Sequence, residues 1–181
     1  MIMMKGFLFS MLILLTTAFA FAQTYVPVEE SSTVQFKVKN FGFNVDGSFK
    51  GVRGTIDFDP AKYTEAKFDV SIDANTIFTD NGMRDDHLRE DNYLDVKNHP
   101  RMSFVSTKVT GSNKTGTFFI FGTLEIKGEK KEISFPFTAT PVDGGFLFKG
   151  EFKINRKDFN IGGSSTISEN VNVILTITAK K

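Results

Sequence analysis

Apolar and polar residues alternate with a period of two along most of the chain after residue 32, the signature of half-buried β-strands. Eight runs follow this rule. Thr33–Lys39 places Val34, Phe36 and Val38 on one face and Gln35, Lys37 and Lys39 on the other. Val45–Asp59 directs Ile56 and Phe58 inward, with Gly51 and Gly54 marking a bend or bulge. Ala66–Asp73 directs Phe68, Val70 and Ile72 inward, whereas Met102–Val109 is too mixed in polarity to give a face. Thr117–Lys127 carries Phe118, Ile120, Gly122, Leu124 and Ile126 on one side, and Glu132–Thr140 carries Ile133, Phe135, Phe137 and Ala139. Phe146–Ile154 presents Phe146, Phe148, Gly150, Phe152 and Ile154, and Val171–Lys180 presents Val171, Val173, Leu175, Ile177 and Ala179. Gly111–Gly116, Gly128-Glu129 and Asp143-Gly144-Gly145 supply turns between neighbouring runs, and a loop rich in Gly, Ser and Asn, Asn160–Asn170, precedes the last one.

The longer runs, 10–12 residues, would extend about 33–40 Å. One apolar face per run suits a sheet closed on itself with its outside in water, and an eight-stranded antiparallel barrel leaves no free edges. Pro136 lies on the outward face of its strand and cannot donate to a ladder, so a weak seam or bulge is expected beside it.

Thr79–Pro100 breaks the alternation. It holds both histidines, His87 and His99, among a dense set of charges. Asp80 or Asn81 can cap a short helix, on which Met83 and His87, and Arg84 and Leu88, sit one turn apart and make one side partly apolar. His99-Pro100 should end the excursion and start a strand. We read it as a lid or plug across one end of the barrel, between the third and fourth strands.

The first 22 residues stand outside this pattern. Lys5, the apolar stretch Phe7–Phe19 and Ala20-Phe21-Ala22 have the form of a secretory signal peptide, with Gln23 the expected mature N-terminus. The apolar run is short of the ~20 residues a membrane span needs. Residues 23–181 then form one domain of a protein expected in the periplasm or secreted, and not membrane-spanning after processing. An outer-membrane barrel would be apolar outside. Here Lys149, Glu151 and Lys153 share the face opposite Phe148 and Phe152, and each lysine would cost ~2–4 kcal/mol at mid-membrane.

With 22 basic and 21 acidic residues, no broad basic field attracts nucleic acid. The absence of Cys removes disulfides, thiolate metal sites, cysteine nucleophiles and a lipidated N-terminal cysteine. Phenylalanine is the anomaly: four of the 21 lie in the leader, leaving 17 in a mature chain without Trp. Gly122, Ala139, Gly150 and Ala179 interrupt the inward rings. They either match the taper of a packed core or leave an elongated cavity for a long apolar chain. The candidate cavity wall is Phe36, Phe68, Phe104, Phe118, Ile120, Phe135, Phe137, Phe148, Phe152 and Leu175. Arg84, Asp85 and His87 are candidates to pin the lid through hydrogen bonds or to meet a ligand head group. His87 and its neighbouring carboxylates match no metal-ligand spacing, and Ser103, Ser164 and Ser165 lack the context of a nucleophile elbow, so neither metal site nor enzyme is expected.

The chain resembles the YceI-like family of exported lipid- or polyisoprenoid-binding proteins over about Val28–Ala179. Met83-Arg84-Asp85-Asp86-His87-Leu88 is similar to the family's R-D-x-H-L. Tyr93-Leu94-Asp95-Val96 and His99-Pro100-Arg101-Met102-Ser103-Phe104 follow in the family's order. Further matches are Val38-Lys39-Asn40-Phe41-Gly42-Phe43, Gly122-Thr123-Leu124-Glu125-Ile126-Lys127-Gly128 and Arg156-Lys157-Asp158-Phe159. The resemblance implies a lipocalin-like barrel with a hydrophobic pore for an amphiphile bearing an isoprenoid or acyl chain, and no cofactor beyond a bound lipid such as a polyisoprenoid or isoprenoid quinone. Asn40 and Ser31 stand where the family often has histidine, and Tyr25 replaces a usual tryptophan, so roles of those residues do not carry over. Two readings follow: a carrier of a lipophilic small molecule, or a cell-envelope interaction or stress-related protein with a packed barrel. A homodimer is compatible with either.

Overall fold

The computed structural model describes residues 23–181; the expected signal peptide, residues 1–22, lies outside them. Nine strands form one antiparallel sheet that closes on itself: β1 (Thr24–Pro27), β2 (Thr33–Asn40), β3 (Phe43–Asp57), β4 (Lys67–Phe78), β5 (Arg101–Gly111), β6 (Thr117–Ile126), β7 (Glu129–Val142), β8 (Gly145–Asn155) and β9 (Ile167–Lys180). The eight long strands are β2–β9. Their ladders run around the barrel in sequence order, and the β2–β9 pairing completes the circle. The short β1 was not anticipated. It pairs first with β3 (Tyr25 opposite Ile56) and then with β9 (Pro27 opposite Ala179), closing the wall where β2 falls short.

Alternation sets the faces as expected, because side chains of successive strand residues point to opposite sides. On β6, Phe118, Ile120, Leu124 and Ile126 are buried, while on β8 Lys149, Glu151 and Lys153 are exposed. The ambiguous strand β5 resolves through a bulge between Ser106 and Lys108, which brings Met102 and Val109 inward although they are an odd number of residues apart. The β3–β4 ladder shifts register between Lys50 and Arg53, where the two glycines were expected to bend the chain. Gly54 adopts φ +130°, and a Cβ there would overlap the Asp69 carbonyl oxygen, so the close approach requires glycine.

Three expected limits shift by more than two residues. β4 continues past Asp73 to Phe78, β7 starts at Glu129 rather than Glu132, and β9 starts at Ile167 rather than Val171. In each case cross-strand hydrogen bonds extend the strand beyond its clean alternation. The weakness expected beside Pro136 is present, on one side of its strand. The β6–β7 ladder passes through Pro136 opposite Phe119 without interruption. On its other side the β7–β8 ladder stops one residue short, at Phe137 opposite Gly150.

Candidate functional site

The barrel interior is solid at one end and hollow at the other. Phe58, 1% exposed at the end of the β3 run, occupies the centre of the solid end. Its ring lies 5.2–6.2 Å from those of Phe68, Phe118, Phe137, Phe146 and Phe148. All five pairs are strongly inclined, three of them close to perpendicular, an arrangement in which ring edges meet ring faces. Tyr25 and Tyr63 extend the cluster, against Phe146 and Phe118 respectively.

Away from this plug the inward rows loosen. Along β9, Ala179 and Ile177 are buried, while Leu175, Val173 and Val171 point the same way and are only half-buried. They line a cavity of about 430 Å³. Nine of the ten residues expected on its wall are there: Phe36, Phe68, Phe104, Ile120, Phe135, Phe137, Phe148, Phe152 and Leu175. Phe118 is the correction. It belongs to the plug, 5.4 Å from both Phe58 and Phe137, because its strand position is one layer nearer the closed end. Gly122 is a second correction: its space is filled by the ring of Phe104, and a Cβ would also overlap the Val105 carbonyl. Gly150 does border the cavity, and a Cβ there would sit 3.1 Å from the Phe135 ring.

The excursion crosses the hollow end. Helix α1 (Gly82–Arg89) begins at Asn81, whose side chain accepts from the Arg84 N–H at 3.0 Å. Arg84 bends back to Thr79, donating from Nε to Thr79 Oγ1 (2.7 Å) and from its terminal nitrogen to the Thr79 carbonyl (2.6 Å). Thr79 in turn donates to the buried carboxylate of Asp85 at 2.5 Å. Arg89 fastens the far end of the helix to the carbonyls of Asn75 and Ile77, covering the part of β4 that β5 does not pair. The pinning network is thus Thr79, Arg84 and Asp85. His87 is not part of it; it is exposed and contributes to the cavity rim with Arg84 and Leu88. Met83 is 76% exposed, so the partly apolar side of the helix is supplied by Leu88 alone.

The opposite rim depends on Arg156, a residue to which sequence reasoning assigned no role. Its guanidinium is buried and donates to the main-chain carbonyls of Ile161 (2.8 Å), Gly162 (2.6 Å), Ile167 (3.1 Å) and Ser168 (3.1 Å), with a longer contact to Ser164 (3.5 Å). One side chain thereby shapes the loop that leads into β9. Thr79 was likewise overlooked; a lone threonine beside a charged run carries no signal of burial.

The ionisable wall residues are Arg84, His87, Lys149, Arg156 and Tyr93, with no carboxylate among the described lining. Among the described residues, no group of three or more His, Asp and Glu side chains could hold a metal ion. No described helix is long and apolar enough to cross a membrane.

A closed antiparallel barrel with one blocked end, one lidded end and an apolar interior defines a lipocalin-like binding barrel. A model of the YceI-like domain matches residues 25–179, and the chain belongs to that family. A curated relative, a UPF0312 protein of Pseudomonas syringae pv. tomato, is 32% identical over 172 residues, covering 90% of this chain and 89% of that one. Among solved structures, BcnA of Burkholderia cenocepacia superposes with a TM-score of 0.80 at 24% identity, covering 85% of this chain and 99% of that one. A polyisoprenoid binding domain from Saccharophagus degradans gives a TM-score of 0.67 at 15% identity, over 86% and 97% of the two chains.

Proposed function

We propose that this protein is an exported carrier that holds one long-chain amphiphile, of polyisoprenoid or fatty-acyl type, with its tail in the barrel and its head group at the lidded end. The observation that carries this reading is the cavity: about 430 Å³, walled by aromatic and aliphatic side chains and stopped by the Phe58 plug. At ~0.8 kcal/mol per buried methylene, a tail of about 15 carbons would contribute on the order of 12 kcal/mol before ordering and association costs. The all-basic set of charged wall residues favours a neutral or anionic head group, with Arg84 and His87 nearest the mouth. The fold shared with a polyisoprenoid binding domain supports the same ligand class, and an isoprenoid quinone satisfies the same chemistry. A packed barrel acting only through its surface accounts for the Phe58 end and leaves the other half unexplained.

Native mass spectrometry of protein purified from the cell envelope tests the reading, with lipid extraction of the same sample. A recurring copurified lipid and saturable binding of a fluorescent acyl or farnesyl probe are the expected results; a clean apo mass with no probe binding would reject it. Gly150→Phe, which pushes a ring into the cavity against Phe135, should abolish probe binding. Export is tested by N-terminal sequencing of envelope material, which should begin at Gln23; an intact leader on the mature protein would refute it.

A further inference from the structure

The barrel has an unpaired length in its wall. Below Phe137 and Gly150 the β7–β8 ladder is continuous to the Val142–Gly145 turn. Above them, Glu129–Pro136 of β7 pairs only with β6, and Glu151–Asn155 of β8 pairs only with β9. Strand faces unpaired strand over five residues of β8, Glu151–Asn155, which at ~3.3 Å each makes this seam about 16 Å long. Pro136, which has no N–H to donate, stands at its lower limit. At its upper limit, Asn160 donates to Glu129 Oε1 (2.8 Å) and Lys127 Nζ donates to the Asn160 carbonyl (3.1 Å), tying the turn after β8 to the turn before β7. Between these limits the closure is made by side chains, chiefly the stacked rings of Phe135 and Phe152, with centroids 4.5 Å apart.

The cavity reaches this seam. Both rings line it, and so do Gly150 and the exposed Lys149, a residue that alternation directs to the outside. The outer wall beside the seam is also unusual for a water-facing surface. Phe119, 40% exposed, lies directly opposite Pro136 across the β6–β7 ladder, and Phe121, 38% exposed, follows it. A chain leaving the cavity between the two rings would pass the exposed Ser134, Glu151 and Lys153 at the lips of the seam and, on the β6 side, reach Pro136, Phe119 and Phe121.

We infer that the β7–β8 seam is a lateral portal, through which the tail of a polyprenyl or acyl chain longer than the cavity passes to an apolar track of Pro136, Phe119 and Phe121 on the outer wall. With the rings around Phe58 packed across the far end, the seam offers a long tail a way out while its head group stays at the mouth. The gate needs only rotamer changes of Phe135 and Phe152, since no ladder hydrogen bond has to break. The inference rests on the carrier reading but adds a second apolar site and a chain-length class to it.

The chain has no cysteine, so paired thiols can be introduced cleanly. Extending the Phe137–Gly150 register places Ser134 opposite Lys153, across the seam. The Ser134→Cys/Lys153→Cys variant, bridged by a short cleavable bis-maleimide, locks it; Thr140→Cys/Leu147→Cys, away from the cavity wall, bridges a true ladder pair as control. Each is titrated with a fluorescent farnesyl probe of 15 carbons and a fluorescent polyprenyl probe of 40 carbons. The seam lock should weaken the long probe by about ten-fold or more and leave the short probe within about two-fold, with recovery on cleavage, while the control lock changes neither. Phe119→Ser/Phe121→Ser, on the outer wall, should weaken only the long probe. Equal binding of the long probe to locked, outer-wall and parent proteins overturns the portal, as does a parent that binds only the short probe. A parent that binds neither probe overturns the carrier reading itself.

Discussion

Phe58 and Phe152 are the same residue type on the same inner surface, and truncating each to alanine measures how solid the barrel is at two heights. Phe58 is 1% exposed and touches rings on several strands, five of them with centroids within 6.2 Å. Removing it opens a void that the surrounding rings cannot collapse to fill, so Phe58→Ala should cost about 3–5 kcal/mol. Phe152 is half-buried, stacks on Phe135 alone and faces the cavity on its other side. Its removal enlarges a space that already exists and forfeits one ring pair and a partial burial, about 1–2 kcal/mol. Urea unfolding at constant m-value gives the two differences, and a domain of this size should lose ~2–4 °C in Tm per kcal/mol. Because total stability is commonly only about 5–15 kcal/mol, Phe58→Leu provides a milder step in the same direction if the alanine variant fails to fold. Equal costs at the two positions, or a cost below about 2 kcal/mol at Phe58, would refute the division into plug and cavity.

Arg84→Ala removes both donors to Thr79 and should cost ~1–3 kcal/mol, with faster amide exchange across Gly82–Arg89; a variant that melts like the parent with that helix still protected would show that the network does not hold the lid. Arg156→Lys offers at most three donors where five carbonyls now converge, so it should cost about 2–4 kcal/mol and loosen residues 160–167, and unchanged exchange there would contradict the anchoring role. Burial, and then the negative charge of Asp59, raise the Tyr25 phenol above its ordinary value of 10.0. The folded state therefore keeps this proton more tightly than the unfolded one. The associated stability is complete below about pH 10 and declines as pH rises through the folded pKa, so Tyr25→Phe should flatten the alkaline limb of a stability–pH curve and an unaltered limb would exclude Tyr25 as its source.

Much of this protein is written in its alternation. Which residues face inward on every expected strand but Met102–Val109, the turn at Asp143-Gly144, a helix cap at Asp80 or Asn81 and the bend at Gly51 and Gly54 all follow from local geometry, and the structure bears them out, with Asn81 as the cap. Nine wall residues were legible for the same reason: in a barrel, inward-facing and apolar is nearly the definition of the wall. Height along the barrel axis was not legible. Alternation distinguishes inside from outside but treats Phe118 and Phe152 alike, and only the register of neighbouring strands sets one in the plug and the other over open space. The position of Phe58 at the meeting point of five rings from β4, β6, β7 and β8 is likewise a product of closure. Arg156 and Thr79 act on backbone and side-chain groups that the fold brings to them, so their types alone carried no signal. Pro136 gave notice of a weakness without its side. A missing N–H can interrupt only the ladder toward which it would have pointed, and that direction, hence the seam between β7 and β8 rather than β6 and β7, was decided when the strands took their places in the barrel.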